Sequence, residues 1–338
     1  MTAVERLSLH DAQSLIRDAL IGAGTPEPAA LSVAAALVAA QAEGQVGHGF
    51  SRLGDYAAQV QSGKIRADAA VTVTPTGAAA LHVDAGCGFA FPALDAALAA
   101  GLPRAQDAGI CIVAVGNSHH CGALSVQVEK IAQAGLIGLM MANSPRAIAP
   151  WGAAEALYGT NPIAFATPQA GGEPLVIDLS LSRVARGKVM NAHKSGKSIP
   201  EGWALDARGN PTTDPAAALA GTMVPIGEAK GTALALMVEL LTTAFTGSAF
   251  SKDAGSFFTS DGPEPRVGQT LIAIRPNGAT GYPARVHDLL ETLAAMPGAR
   301  LPGARRRAAI ARARAEGIDV PVIYLEQARA LAHGGATA

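Results

Sequence analysis

Residues 110–143, ICIVAVGNSHHCGALSVQVEKIAQAGLIGLMMAN, constrain the fold more than any other stretch. ICIVAV is a short β-branched run of the kind that forms a buried strand. LSVQVEKIAQAG carries its apolar residues at helical spacing, and LIGLMMAN is a second apolar run of strand length. Strand, helix and strand in that order make a β-α-β unit, and so a layered α/β protein. The polar run Asn117-Ser118-His119-His120-Cys121 falls at the carboxyl end of the first strand, just before the helix. In open α/β sheets that edge is where ligands bind.

Both ends of the chain read as helical. Ser8 can cap a helix carrying Leu15, Ile16, Ala19 and Leu20, stopped by Gly22 and Gly24. Thr25-Pro26-Glu27 is a second start, a cap followed by proline and an early acid, and that helix runs to Gly44. Leu53, Tyr56, Ala57 and Val60 share one face of a third helix, ended by Gly63. From about residue 70 the period changes: AAVTVTP and AALHVDA read as strands, and GFAFPALDAALAAGLPRAQDAG as a helix. Beyond the β-α-β unit come a strand near Ile163–Ala166, a strand in PLVIDLSLS leading to a helix, and the polar excursion SGKSIPEGWALDARGNPTTDP. The buried helix KGTALALMVELLTTAFTG, the strand GQTLIAIRP and the helical runs ARVHDLLETLAAM and LPGARRRAAIARARAEG follow. Helical ends around an α/β middle predict one helical domain built from residues 1–72 and 223–338, with residues 73–222 inserted as an α/β domain.

The bulk numbers exclude several classes. With 26 Lys and Arg against 27 Asp and Glu, the net charge of −1 gives no field to attract nucleic acid or an anionic membrane. Cys87, Cys111 and Cys121 form no C-x-x-C pair and suit a reducing compartment. MTAVERLSLHDAQ is too polar for a signal peptide, so the expected location is the cytoplasm. GTALALMVELLTTAF contains Glu239 and is too short to span a bilayer. No G-x-G-x-x-G occurs, because GCGFAF continues with Ala90 and Phe91, so the Rossmann fingerprint is missing. SGKS lacks the first P-loop glycine, with Asn191 in its place. H-E-x-x-H, G-x-S-x-G and zinc spacings are absent, and no metal is expected.

Three places look chemical. His48 sits between Gly47 and Gly49, four residues before Arg52, so both can face one cleft. An imidazole can carry a proton at neutral pH, and a guanidinium can grip a carboxylate with two prongs. His119, His120 and Cys121 allow a metal pair, a cysteine nucleophile or a cleft histidine, although adjacent residues rarely address one ion. Asp178 sits at a strand-to-helix junction, where it can serve chemistry or cap a helix, and Lys230 beside Gly231 at a helix start can meet a phosphate or carboxylate.

These residues recur together in GHGFSRLGDY, NSHHCGA, MANSPRAIAPWG, YGTNPIAFATP, VIDLSLS, IPEGWALDARGNPTTDP, AKGTALALMVELL and LPGARR. In that order and spacing the chain resembles the type-2 malate/L-lactate dehydrogenase family of NAD(P)-dependent oxidoreductases, which includes sulfolactate dehydrogenases and cyclic ketimine reductases. The resemblance implies a sulfolactate dehydrogenase-like fold, with a non-Rossmann mixed-sheet cofactor domain inserted in a mainly helical domain made by both chain ends. It also implies a homodimer with its active site in the cleft between domains, acting on a small carboxylate-bearing substrate. Carried over, His48 is the proton donor or acceptor, Arg52 the carboxylate ligand, His120 a second cleft histidine, and Asp178 an orienting group. Ser144, Thr160, Asp178, Leu179, Ser180, Ala229, Lys230, Pro302, Gly303 and Ala304 match positions that line the dinucleotide.

Two positions depart from the pattern. Gly47 stands where many relatives have serine, and Cys121 where many have an aromatic residue. The segments IPEGWALDARGNPTTDP and AGSFFTSDGPEPRVGQ look most like the (R)-sulfolactate branch, so the expected reaction interconverts a 2-hydroxy and a 2-oxo acid such as sulfolactate, malate or lactate. The alternative is NADPH-dependent reduction of cyclic ketimines. The cofactor is expected to be NAD(P), with a lean to NADP: Lys194 and Lys197 can meet a 2′-phosphate, although solvated surface lysines explain them equally well.

Overall fold

The computed structural model describes residues 3–334, the side chain of Lys194 excepted. The first part of the chain forms strand β1 (Val4–Leu7), helices α1 (Leu9–Gly22), α2 (Glu27–Ala42) and α3 (Leu53–Gln61), strands β2 (Thr72–Gly77) and β3 (Ala80–Asp84), and helix α4 (Ala90–Ala108). Strand β4 (Ile110–Ser118), helix α5 (Leu124–Gln133) and strands β5 (Ile137–Ala142), β6 (Ile163–Thr167) and β7 (Leu175–Leu179) follow. Next come α6 (Arg186–Lys194), β8 (Ala204–Leu205), β9 (Pro211–Thr212), α7 (Pro215–Ala220), β10 (Thr222–Met223) and α8 (Glu228–Thr242). The chain ends through β11 (Val267–Ile274), α9 (Tyr282–Ala295), α10 (Ala304–Glu316), β12 (Ile318–Pro321) and α11 (Val322–Ala332).

The two chain ends do pack together. β1 and β12 form an antiparallel pair, and one apolar core joins Ile16, Leu20, Leu37, Leu53 and Tyr56 to Leu325, Ala328 and Leu331. Burying each large side chain there contributes roughly 1.5–3 kcal/mol. Gly22 ends α1 where α11 comes close: a Cβ on it would lie 2.0 Å from the carbonyl oxygen of Leu331. Ser8 caps α1 by accepting from the Asp11 amide. Thr25 does not cap α2; its hydroxyl is buried without a partner among the described residues, and α2 starts with no side-chain cap.

The central sheet has seven strands in the order β2-β3-β4-β11-β5-β6-β7. Only β3 and β4 pair in parallel; every other neighbouring pair is antiparallel. β4, α5 and β5 follow one another as the sequence predicts, but β11 lies between the two strands, antiparallel to both. β11 is buried along most of its length, the polar Gln269 and Thr270 included. It lies in the 223–338 stretch expected to belong to the helical domain. β11 completes the sheet, α8 packs its buried residues into the core on one face of it, and the chain rejoins the terminal helices only from α10. Period alone cannot say which core an apolar helix or strand serves. The polar excursion is also structured: β8, β9 and β10 form a small three-stranded sheet.

Candidate active site

His48 and Arg52 sit on two successive 3-10 turns, Val46–His48 and Phe50–Arg52, between α2 and α3. The tight path needs Gly49, because a Cβ there would lie 2.1 Å from Oε1 of Gln41. Gly47 has open space instead. Arg52 donates from Nε to the Gly47 carbonyl at 2.9 Å, lies 3.5 Å from Asp55, and holds its guanidinium 4.5 Å from the centre of the Phe258 ring.

The end of β4 meets this segment. Nε2 of His120 is 3.2 Å from Nδ1 of His48, and the two ring planes differ by 10°. Nδ1 of His120 is 2.6 Å from the hydroxyl of Tyr56 on α3. His119 turns the other way, with Nε2 2.8 Å from Oε1 of Gln59. Burial, with the Arg52 charge adding to it, lowers His48 to about 4. Burial lowers His119 to about 3, helped by Lys64 and Arg52, and lowers His120 well below the usual imidazole range, helped by Arg52 and the other two histidines. All three rings are therefore neutral at pH 7. Burial pushes the Tyr56 phenol up, so it stays protonated.

The rings of His119 and His120 address different partners, and among the described residues no group of three His, Cys, Asp or Glu could hold a metal ion. Cys121 is buried, and burial with Asp178 nearby pushes its thiol up to about 12, which removes a nucleophilic thiolate.

Asp178, on the sheet-edge strand β7, does cap a helix, but not the one that follows it. Its Oδ2 accepts from the Ser125 amide at 2.9 Å, in the first turn of α5. Burial raises its carboxyl, Glu43 adds to the rise, and the bond from Ser125 opposes it. Among the described residues no hydrogen bond joins Asp178 to either His48 or His120. A network leads away from it instead: Ser125 Oγ donates to Glu43 at 2.5 Å, Gln45 bonds both, and Arg306 pairs with Glu43 and Glu129, each at 2.5 Å.

Several residues expected at the dinucleotide are linked through the backbone. Ser144 accepts from the Thr160 amide at 3.0 Å, and the Thr160 carbonyl accepts from Leu181 just beyond β7. The Leu181 carbonyl in turn accepts from Ile226, which leads into the first turn of α8 with Ala229 and Lys230. Gly303 starts α10 with φ 75° and no side-chain cap, and a Cβ there would lie 2.8 Å from the Val176 carbonyl of β7. Pro302 and Ala304 flank it, and Leu179 and Ser180 end the same strand region. All ten residues are exposed or half-exposed. Two uncapped helix starts beside a polar, open rim fit a phosphate-bearing cofactor. Lys197 is exposed, and the Lys194 side chain lies outside the described residues.

Sequence reading missed Tyr56, Gln59, Glu43, Ser125 and Arg306 as parts of the site. Tyr56 carried a signal, but as an apolar position on the buried face of α3; its hydroxyl matters only once β4 is folded against that helix.

The site so built holds a pair of neutral histidines with Arg52 close by. The family model described as malate/L-lactate dehydrogenase matches residues 7–327, and the chain belongs to that family. It is 48% identical over 327 residues to the (2R)-3-sulfolactate dehydrogenase (NADP(+)) of Chromohalobacter salexigens, covering 96% of this chain and 98% of that one. It is 40% identical over 323 residues to the Delta(1)-pyrroline-2-carboxylate/Delta(1)-piperideine-2-carboxylate reductase of Pseudomonas syringae pv. tomato, covering 95% and 89%. The crystal structure of delta1-piperideine-2-carboxylate reductase from Pseudomonas syringae superposes with a TM-score of 0.92 at 38% identity, over 97% of this chain and 99% of that one. Sulfolactate dehydrogenase from Methanocaldococcus jannaschii superposes at 0.90 with 27% identity, over 98% of both chains. The fold is thus the sulfolactate dehydrogenase-like one.

Proposed function

We propose that the protein is an NADP-dependent oxidoreductase interconverting a small 2-hydroxy acid and its 2-oxo acid, with 3-sulfolactate as the first substrate to try. The observation that carries this reading is the His48–His120 pair at 3.2 Å with Arg52 on the next turn. A bound nicotinamide supplies or takes the hydride. The substrate carboxylate replaces Asp55 as the partner of Arg52, in two-pronged fashion. That pairing offsets the positive charge that depresses His48, so the histidine pair gains affinity for a proton as the acid binds. In reduction the protonated pair passes a proton through Nε2 of His48 to the carbonyl oxygen and returns to its neutral state. Asp178 braces α5 and Ser125, and the uncapped start of α10 with Arg306 anchored behind it offers amides to a phosphate. The NADP preference rests on the 48%-identical relative, whose name specifies NADP(+).

A second reading is reduction of cyclic ketimines. It is supported by the reductases 36–40% identical to this chain and by the 0.92 superposition. Arg52 would grip the same carboxylate, while the reduced group would be C=N. NADPH oxidation measured with sulfopyruvate, pyruvate, oxaloacetate and piperideine-2-carboxylate separates the two. Turnover of the imine alone ends the hydroxy-acid reading.

We also propose a homodimer in the cytoplasm. Helix α8 exposes Leu234, Leu236, Met237 and Leu240, with Met237 58% exposed, and Phe245 and Phe250 lie exposed close after it in the chain. An apolar set of this size suits a partner surface. Among the described residues no helix is long and apolar enough to cross a membrane. The three cysteines are free, which suits a reducing compartment. Sedimentation equilibrium giving only the 34.0 kDa monomer would end the dimer reading.

A further inference from the structure

We infer that Tyr56 is a positioning residue that fixes the tautomers of both histidines, so that His48 presents an N–H at Nε2. The inference rests on the proton-transfer reading of His48.

Tyr56 is completely buried, and among the described residues its hydroxyl has one hydrogen-bond partner, Nδ1 of His120 at 2.6 Å. A buried hydroxyl places its hydrogen on an acceptor. Nδ1 of His120 must therefore offer its lone pair. A neutral imidazole carries a single N–H, so the hydrogen of His120 lies on Nε2. That N–H donates to Nδ1 of His48 at 3.2 Å, between two nearly parallel rings. The lone pair of His48 is then committed at Nδ1 and its hydrogen lies on Nε2. Among the described residues Nε2 of His48 has no hydrogen bond, and it is not among the enclosed unpaired atoms. It is thus available to a carbonyl oxygen. One phenol on α3 sets the direction of every hydrogen in the chain Tyr56, His120, His48.

The position before His48 offers no hydroxyl for this duty, because it is Gly47. The ring that does the work lies in the core of the helical domain instead, held edge-on by Phe89 with centroids 5.5 Å apart.

Two-bond 15N–1H spectra of the full-length protein labelled at histidine, with signals assigned through His48→Gln and His120→Gln, report tautomers directly and need no substrate. The expected result is the Nε2–H form at both His48 and His120. In Tyr56→Phe, which keeps the ring and loses only the hydroxyl, His120 becomes a mixture that includes Nδ1–H and His48 follows. With whichever oxo acid the parent reduces, kcat of Tyr56→Phe falls by roughly tenfold or more while KM stays within about twofold. An Nδ1–H form at His120 in the parent, or identical tautomers in parent and Tyr56→Phe, overturns the inference. If the parent reduces no oxo acid, the reading of His48 fails, and the spectra still decide the role of Tyr56.

Discussion

The carboxylate of Asp178 caps helix α5, its Oδ2 accepting the Ser125 amide at 2.9 Å from a strand more than fifty residues further on. This ties the edge of the sheet to the helix that follows the histidine pair. Losing such a cap costs about 1 kcal/mol. Asp178→Ala is therefore expected to lower stability by that amount in urea unfolding. Asp178→Asn, which keeps an acceptor oxygen, is expected to lose clearly less; equal losses would show that the cap is not what Asp178 contributes.

Proton transfer by a positioned side chain contributes about 10²- to 10⁴-fold in rate. His48→Ala is expected to lower kcat by an amount in that range with little change in KM. His120→Ala should do much the same. The double variant should fall far short of the product of the two losses, because the rings share one hydrogen-bond chain. Steady-state kinetics on the three variants checks this, and multiplicative losses would separate the two histidines.

Arg52→Met removes both the proposed carboxylate ligand and a charge that depresses His48. The hydrogen bonds of a charged pair contribute roughly 1.5–3 kcal/mol, so kcat/KM should fall by roughly 10- to 100-fold, mostly through KM. The sign of the pH effect is fixed. Without the positive charge the imidazole holds its proton more easily, so its titration moves up from about 4 towards the usual 6.5. The acidic limb of kcat/KM against pH should shift upward with it, and an unmoved limb would detach Arg52 from His48.

His119 is buried and lowered to about 3, mainly by burial, against 6.5 when unfolded. Its unfolded form binds more protons throughout that window. Its contribution is thus intact above about pH 6.5 and is lost as pH falls towards 3, at up to about 1.4 kcal/mol per pH unit. Asp178, whose carboxyl is raised, acts with the opposite sign and is present in parent and variant alike. Urea unfolding between pH 7 and 5 should show a shallower fall for His119→Gln than for the parent. Parallel curves would mean that His119 is charged in the folded protein.

The glycines around His48 should respond differently. Gly47 has open space where a Cβ would go, whereas a Cβ on Gly49 would lie 2.1 Å from Oε1 and 2.9 Å from Cβ of Gln41. Gly47→Ser is expected to change stability by less than about 0.5 kcal/mol. Gly49→Ala is expected to cost about 1–3 kcal/mol by overpacking, read from thermal and urea unfolding.

The amino-acid sequence by itself determined the class of fold and the succession of many elements, and it singled out candidate site residues. Periodicity is a local property, so α1, α3, β4 and α5 could be read from the spacing of their apolar residues. His48 and Arg52 were legible because they stand only four residues apart between two predicted helices. His120 was legible because it stands at a strand end. The tertiary structure alone decided which elements meet. It put β11 between β4 and β5, a pairing across more than a hundred residues that no local pattern encodes. It turned Asp178 towards a helix that precedes it in the chain. It brought the Tyr56 hydroxyl, apparently just one more apolar position on α3, against a histidine sixty-four residues later. The physical reason is the same in each case. A hydrogen bond or a strand pair between distant segments exists only after both cores have closed, and the direction of a polar atom is set by what the packing leaves next to it.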